Sequence, residues 1–276
     1  MLKLRVITAI ILLLLFLLAL FLLPAMGWAV LVVVIVLQGT TEWSKLSKLK
    51  GLTAMLYWVL TLLVMLALVW FDASRAHDQQ VSVHLVVYAV SALLWLIIVP
   101  TWMIAGWKVE SPWLMALAGS AVLIPTGLAM MDLRAESPSP WILLFVMGLV
   151  WVADIAAYFT GRKFGKHKLA PSISPGKTWE GVAGAMLGVS CYVLLVWGFS
   201  PYFAERAVLP ILLLASWWWV GLAVIGDLFE SAIKRQAGVK DSGALLPGHG
   251  GLLDRIDALT STLPLAALVI LLQLLR

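Results

Sequence analysis

The stretch LTAMLYWVLTLLVMLALVWF, Leu52 to Phe71, runs for 20 residues without a charge. A helix needs roughly 20 apolar residues to cross the hydrocarbon core of a bilayer. The run is too long for a strand and lacks the alternation of a membrane barrel, so it reads as a transmembrane helix. Working outward, the same reading applies at Val6–Leu23, Met26–Gln38, Val83–Trp107, Trp113–Met131, Trp141–Thr160, Val182–Phe199, Val208–Phe229 and about Leu252–Leu275. Met26–Gln38 is short unless it runs into the polar residues after it. Pro100 and Pro125 fall inside spans, where membrane helices tolerate them as kinks. The chain is 63% hydrophobic and 12% charged, with a mean hydropathy of +1.03. The expected fold class is therefore an all-α polytopic membrane protein of about nine transmembrane helices, with no soluble domain and no internal repeat. The one cysteine, Cys191, sits in a span and excludes an internal disulfide.

Charge gives the orientation. Numbering the spans in order, 15 of the 19 Lys and Arg fall on the side of the N-terminus. Positive residues stay in the cytoplasm, so the N-terminus is expected inside. The first span follows MLKLR, and its 18-residue core exceeds the roughly 7–15 residues of a cleaved signal segment; it is expected to be retained. The net charge of +5 is then topology and anionic-lipid contact, and gives no case for nucleic acid. Two polar loops, 160–181 and 230–252, share the cytoplasmic face. The chain divides into N-terminal transmembrane helices, 1–135, and a C-terminal region, 136–276, that carries the chemistry.

Charges inside membrane helices are costly and usually mark function. Asp154 lies near the end of the sixth span. Asp227 and Glu230 close the eighth in GDLFES. Asp254 and Asp257 open the ninth in GLLDRIDAL. Given the topology, all lie near one cytoplasmic level. Asp254 and Asp257 are three apart and share a helix face; Asp227 reaches them if the two spans pack together. Clustered carboxylates without histidine or thiolate partners suit Mg²⁺. The plainer alternative is ion pairing with Arg235, Arg255 or Lys240. Gly248, Gly250 and Gly251 flank His249 just before the last span, where free backbone N–H groups favour an anion. His249 contacts a phosphate, moves a proton or simply bonds locally. SPGKTWEG, Ser174–Gly181, resembles the end of a phosphate-binding P-loop. Such a loop needs a preceding strand and an earlier glycine, and the glycine's position is Pro171, so that reading is rejected.

The run SAIKRQAGVKDSGALLPGHGGLLDRID, Ser231 to Asp257, closely resembles the signature of the phosphatidate cytidylyltransferases. Its anchors are a Ser, Lys-Arg, Lys-Asp, His-Gly-Gly and Asp-Arg-x-Asp, each at the expected spacing. GDLFES and GKHKLAPSISPGKTWEG also look like that family, and the resemblance covers about residues 140–260. One departure is ADIAAYF, where Ile155 and Ala156 replace a small polar residue and a glycine common in relatives. The resemblance implies an enzyme making CDP-diacylglycerol and pyrophosphate from CTP and phosphatidate, with Mg²⁺ and a second cation, in the bacterial cytoplasmic membrane, as a homodimer. It implies metal binding by Asp227 and Asp254, with Asp257 beside them and Asp154 as a further candidate that otherwise bonds Tyr158. It implies that Lys240, Asp241 and His249 act in catalysis. Lys177, Ser231, Lys234, Arg235, Gly250, Gly251 and Arg255 are the implied substrate contacts, Arg255 alternatively pairing with an acid.

Three other functions compete. A CTP-dependent lipid kinase would attack the γ-phosphorus instead. A CDP-alcohol phosphotransferase needs a D-G-x-x-A-R motif that DRIDALTS lacks. A transporter would show repeats and acids at the midplane, whereas here the acids sit at one face.

Overall fold

The computed structural model describes residues 2–74, 77–135, 140–206, 208–245 and 250–274. His249 and Gly248 lie outside the described residues. The elements are α1 (Leu2–Leu22), α2 (Ala25–Leu46), α3 (Gly51–Ser74), α4 (His77–Leu93), α5 (Val99–Ala105), α6 (Pro112–Ala135), α7 (Trp141–Phe164), β1 (Lys168–Ala170), β2 (Ser174–Thr178), α8 (Trp179–Phe199), α9 (Pro201–Arg206), α10 (Leu209–Ala237) and α11 (Leu253–Leu274). Eight segments among them are helices long and apolar enough to cross a membrane, α4 and α5 counting as one through Gln80–Ala105. The protein is thus an α-helical polytopic membrane protein. The remaining expected span, α1, forms a helix whose described apolar part, Thr8–Leu22, is shorter than a span.

Two expected irregularities have physical solutions. Pro100 lacks an N–H and crowds the carbonyl four residues back. A π-helical turn at Leu94–Ile98 precedes it and resets the ladder, and the helix continues to Gly106. The short second span does run into its polar tail. The segment QGTTEWSKL completes α2, and its Thr40, Glu42 and Ser44 are buried against neighbouring helices.

α6 and α11 are the most enclosed spans, at 61% and 56% buried, against 17% for α3. They form the centre of the bundle, with α2, α4 and α10 packed round them. Leu123, Leu128, Leu222, Phe229, Leu253 and Leu263 belong to one continuous core. Indole N–H groups tie helices together inside it: Trp43 Nε1 donates to Met115 O (2.8 Å) and Trp28 Nε1 to Met130 O (3.0 Å). Outward-facing Leu, Ile and Trp remain exposed in large numbers along α1, α3 and α4, as expected where the solvent is lipid.

The loop after α7 is not irregular. Lys168–Ala170 and Ser174–Thr178 pair as an antiparallel hairpin, so SPGKT is a strand. Thr178 then caps α8 by accepting from Gly181 N (3.1 Å). α10 also extends past its expected end at Phe229, through GDLFESAIKRQA, to a left-handed Gly238 at φ +80°. Asp227, Ser231 and Lys234 therefore recur at helical spacing along one face.

Candidate active site

Gly226 permits the approach of α10 to α11 that builds the site. A Cβ there would meet Ser261 Oγ at 2.6 Å and Asp257 O at 2.7 Å, and Ser261 Oγ donates across to Leu222 O (2.8 Å). The contact brings Asp227 beside the start of α11. Asp257 lies within electrostatic reach of Asp227, Glu230 and Asp154, all of them acids, and Ala258 N donates to its Oδ1 (2.8 Å).

The hairpin closes the site from the other side. Lys177 Nζ, on β2, sits 2.5 Å from Asp227 Oδ2, while Ser231 Oγ donates to Asp227 Oδ1 (3.3 Å). Arg235 bonds the carbonyls of Ile173 in the hairpin turn and Val239 after α10 (3.4 and 3.1 Å). It thus links the two cytoplasmic loops. His167 anchors the hairpin base by facing Glu180 through its ring Nδ1 (2.6 Å).

Between α7, α8, α10 and the hairpin lies a cavity of about 680 Å³. Asp154, Lys177 and Asp227 line one part; Val182, Ala185, Val220 and Val224 line another; Arg162 and Lys168 also contribute. The lining therefore offers both charged groups and hydrocarbon. Tyr158 accepts from Arg162 Nη1 (2.9 Å). The expected Asp154–Tyr158 bond is not formed. Arg255 is exposed and within electrostatic reach of Asp154.

Asp254 faces elsewhere. Its side chain is 6% exposed, and Lys234 Nζ donates to its Oδ1 at 2.5 Å. Its Oδ2 accepts from Ser242 N (2.9 Å) and Gly251 N (2.8 Å) and lies 3.0 Å from Ser242 Oγ, whose one proton it shares with Glu42. Lys234 also faces Glu230 Oε1 at 3.2 Å. The cations that meet Asp227 and Asp254 are thus Lys177 and Lys234, while Arg255 stays near Asp154. Lys240 and Asp241 are exposed on the loop. The glycines serve close packing: Gly250 holds φ +78°, and a Cβ on Gly251 would meet Ser242 Oγ at 2.1 Å. Of the N–H groups expected to face an anion, that of Gly251 and those at the helix start turn inward. Gly251 N goes to Asp254, and Leu252 N and Leu253 N go to Glu42 (both 2.9 Å).

Glu42 is the residue that sequence reading missed. It lies in α2, far from the signature, where no spacing rule reaches it, in the polar tail after the apolar run Met26–Gln38. Asp227, Asp254 and Asp257 do not converge as a three-ligand set. Among the described residues one group of three ligating side chains has its atoms within 4.8 Å of one another: Asp72, His84 and Asp132. It could hold a metal ion, yet both ring nitrogens of His84 already face a carboxylate, Asp72 at 2.9 Å and Asp132 at 2.8 Å. It lies at the opposite end of the bundle. Gln236, near the site, bonds Val109 just before α6, and Asp132 is 20 residues up that helix, about 30 Å at helical rise.

Comparison with known proteins identifies the family. A model of the cytidylyltransferase family matches residues 3–273. A phosphatidate cytidylyltransferase of Haemophilus influenzae is 37% identical over 284 residues, covering 96% of each chain. One from Pseudomonas aeruginosa is 36% identical over 283 residues, covering 97% of this chain and 96% of its own. One from Thermotoga maritima is 42% identical over 138 residues, 46% of this chain and 47% of its own. The match spans the N-terminal helices that carry Glu42 as well as the signature loop, and the chain belongs to the cytidylyltransferase family of nucleotidyltransferases.

Proposed function

We propose that the protein is a phosphatidate cytidylyltransferase, converting CTP and phosphatidate to CDP-diacylglycerol and pyrophosphate. The observation that carries this reading is the cavity that joins an apolar wall at Val182, Ala185 and Val224 to the Lys177–Asp227 pair. A lipid phosphate meets charged groups there while its acyl chains stay in hydrocarbon. The similarity to full-length relatives of that name supports the same substrates.

An oxygen of the phosphatidate phosphate attacks the α-phosphorus of CTP. The bond to the bridging oxygen breaks and pyrophosphate leaves with the electron pair. The nucleophile is already anionic at neutral pH, so no strong base is required, and the protein's task is positioning and charge neutralisation. Lys177 exchanges Asp227 for a substrate phosphate, and the exposed Lys240 takes the CTP phosphates. Arg235, bonded to backbone carbonyls, holds the two loops at one spacing. Ser231 orients Asp227. The donor set fits a hard cation: Asp227 and Asp257, with Asp154, offer oxygens only, and Asp227 already accepts a positive charge from Lys177. Asp254 would join them by releasing Lys234. When bound, Mg²⁺ would neutralise charge on the phosphates of CTP. His249, Asp241, Gly250, Gly251 and Arg255 complete the proposed site through the signature.

The excess of Lys and Arg on one side, 15 of 19, supports a cytoplasm-facing site in a bacterial inner membrane. A homodimer is part of the same reading, and light scattering in detergent tests it. The function itself is tested with purified protein, phosphatidate, Mg²⁺ and CTP labelled separately at the α- and γ-phosphorus. Alpha label in the lipid with pyrophosphate release is expected. Gamma label entering a lipid alcohol supplied in parallel would instead identify a kinase. No label in either lipid, from folded protein, would overturn the enzyme reading.

A further inference from the structure

Glu42 is 1% exposed and its carboxylate accepts from four donors, none of them a cation. Gln38 Nε2 (3.0 Å) and Leu252 N (2.9 Å) donate to Oε1; Ser242 Oγ (2.8 Å) and Leu253 N (2.9 Å) donate to Oε2. Two of these donors are orphan N–H groups at the start of α11, which a helix cannot satisfy for itself. A local Ser or Asp usually supplies such a cap. Here it comes from a different transmembrane helix, 210 residues away in sequence. A buried carboxylate without a cationic partner is costly, and the helix dipole offsets only part of that cost. Capping alone gives no reason to bear it.

The geometry does. The Ser242 hydroxyl lies between Glu42 Oε2 and Asp254 Oδ2, at 2.8 and 3.0 Å. The first turn of α11 carries Asp254, and its next acid is Asp257. Gly251 packs so closely on Glu42 that a Cβ would meet Oε2 at 2.4 Å, and one on Gly243 would meet Oε1 at 3.0 Å. Glu42 therefore fixes both ends of the loop, Ser242–Gly243 and Gly251–Leu253, against α2. We infer that Glu42 is a positioning residue for nucleotidyl transfer: it sets the start of α11, and with it Asp254 and Asp257, relative to Asp227 on α10. This rests on the function proposed above.

The test separates the two. Glu42→Gln keeps the volume but removes one acceptor and the charge. Hydrogen exchange read by mass spectrometry is expected to quicken about tenfold or more in peptides covering 240–255 and to stay unchanged in α6 and α7. In the labelled-CTP assay kcat is expected to fall about 10- to 100-fold, with KM for phosphatidate and CTP within about twofold, since no substrate contact is lost. Faster exchange with unchanged kcat would reduce Glu42 to a structural cap and overturn the inference, as would unchanged exchange. Folded wild-type protein that makes no CDP-lipid would sink the functional reading alone, and exchange would still decide whether Glu42 holds the loop. If Glu42→Gln fails to fold, Ser242→Ala removes the shared hydroxyl while leaving the cap. It should reproduce the kcat loss in milder form, and an unchanged kcat there would count against the inference.

Discussion

Lys177 on the hairpin and Asp227 on α10 meet at 2.5 Å across the mouth of the cavity, with side chains 22% and 30% exposed. An ion pair this accessible adds little stability. Both partners can therefore exchange each other for substrate or cation at small cost. Asp227→Asn is expected to lower turnover about 100- to 1000-fold, the scale of losing a preorganised electrostatic group, while the melting temperature in detergent stays near wild type. Near-normal rates at saturating Mg²⁺ would refute the assignment.

Asp254 contrasts with it. Its oxygens carry Lys234 and two backbone N–H donors, and share the Ser242 hydroxyl, in a pocket closed to solvent. Breaking a buried pair leaves an uncompensated charge and costs about 3–5 kcal/mol. Asp254→Asn and Lys234→Met are therefore expected to lose stability as well as activity, and Asp227→Asn activity alone. Chemical denaturation of the three variants side by side checks this. Equal stability of Asp254→Asn and Asp227→Asn would show that the Lys234 pair is not formed.

Lys240 is exposed on the loop. A charged hydrogen bond to a CTP phosphate is worth about 1.5–3 kcal/mol. Lys240→Ala should raise KM for CTP roughly 10- to 100-fold and leave the denaturation midpoint unchanged. A fall in kcat with KM constant would move Lys240 from binding to the reaction itself.

How far the sequence reached follows from the range of its rules. Long uncharged runs report helices without any partner, so the membrane fold was legible from Leu52–Phe71 onward. Local spacing put Asp254 and Asp257 on one helix face. It could not report which cation each acid meets: Lys177 comes from a hairpin formed by eight residues of low apolar content, and Lys234 became helical only because α10 ran past Phe229. The glycines before α11 read as openings for an anion because glycine exposes N–H groups. The Gly251 amide turned to Asp254, and the helix start to Glu42, because an acid from α2 was near, and no pattern along the chain encodes that. Pro100 was legible as an irregularity, while its π-helical solution depends on packing around Trp95 and Val99.

Gly251→Ala should act through packing. The added Cβ would meet Ser242 Oγ, Glu42 Oε2 and Gly243 N, each under 3.0 Å. Forcing a methyl into a filled site costs about 1–3 kcal/mol. The same displacement would move Asp254. Both stability and kcat are expected to fall, and substituting Gly198, which has open space around it, should change neither. Wild-type kcat for Gly251→Ala would mean that the loop can shift without disturbing the reaction.

The far end of the bundle provides a control on all of these. His84 is buried between Asp72 on α3 and Asp132 on α6, and Tyr88 OH donates to Asp132 Oδ2 at 2.6 Å. The cluster adjoins a cavity of about 730 Å³ that also holds Arg134. It joins three helices by polar contacts where α3 is otherwise the least buried span. Removing the imidazole leaves two carboxylates near each other without the group between them, and an unmet buried polar group costs about 1–3 kcal/mol. His84→Ala should therefore lower the unfolding free energy by that amount, read as a lower denaturation midpoint. The site is about 30 Å away along α6, so kcat per folded molecule should be unchanged. Loss of kcat at full stability would instead show that the two ends of the bundle are coupled.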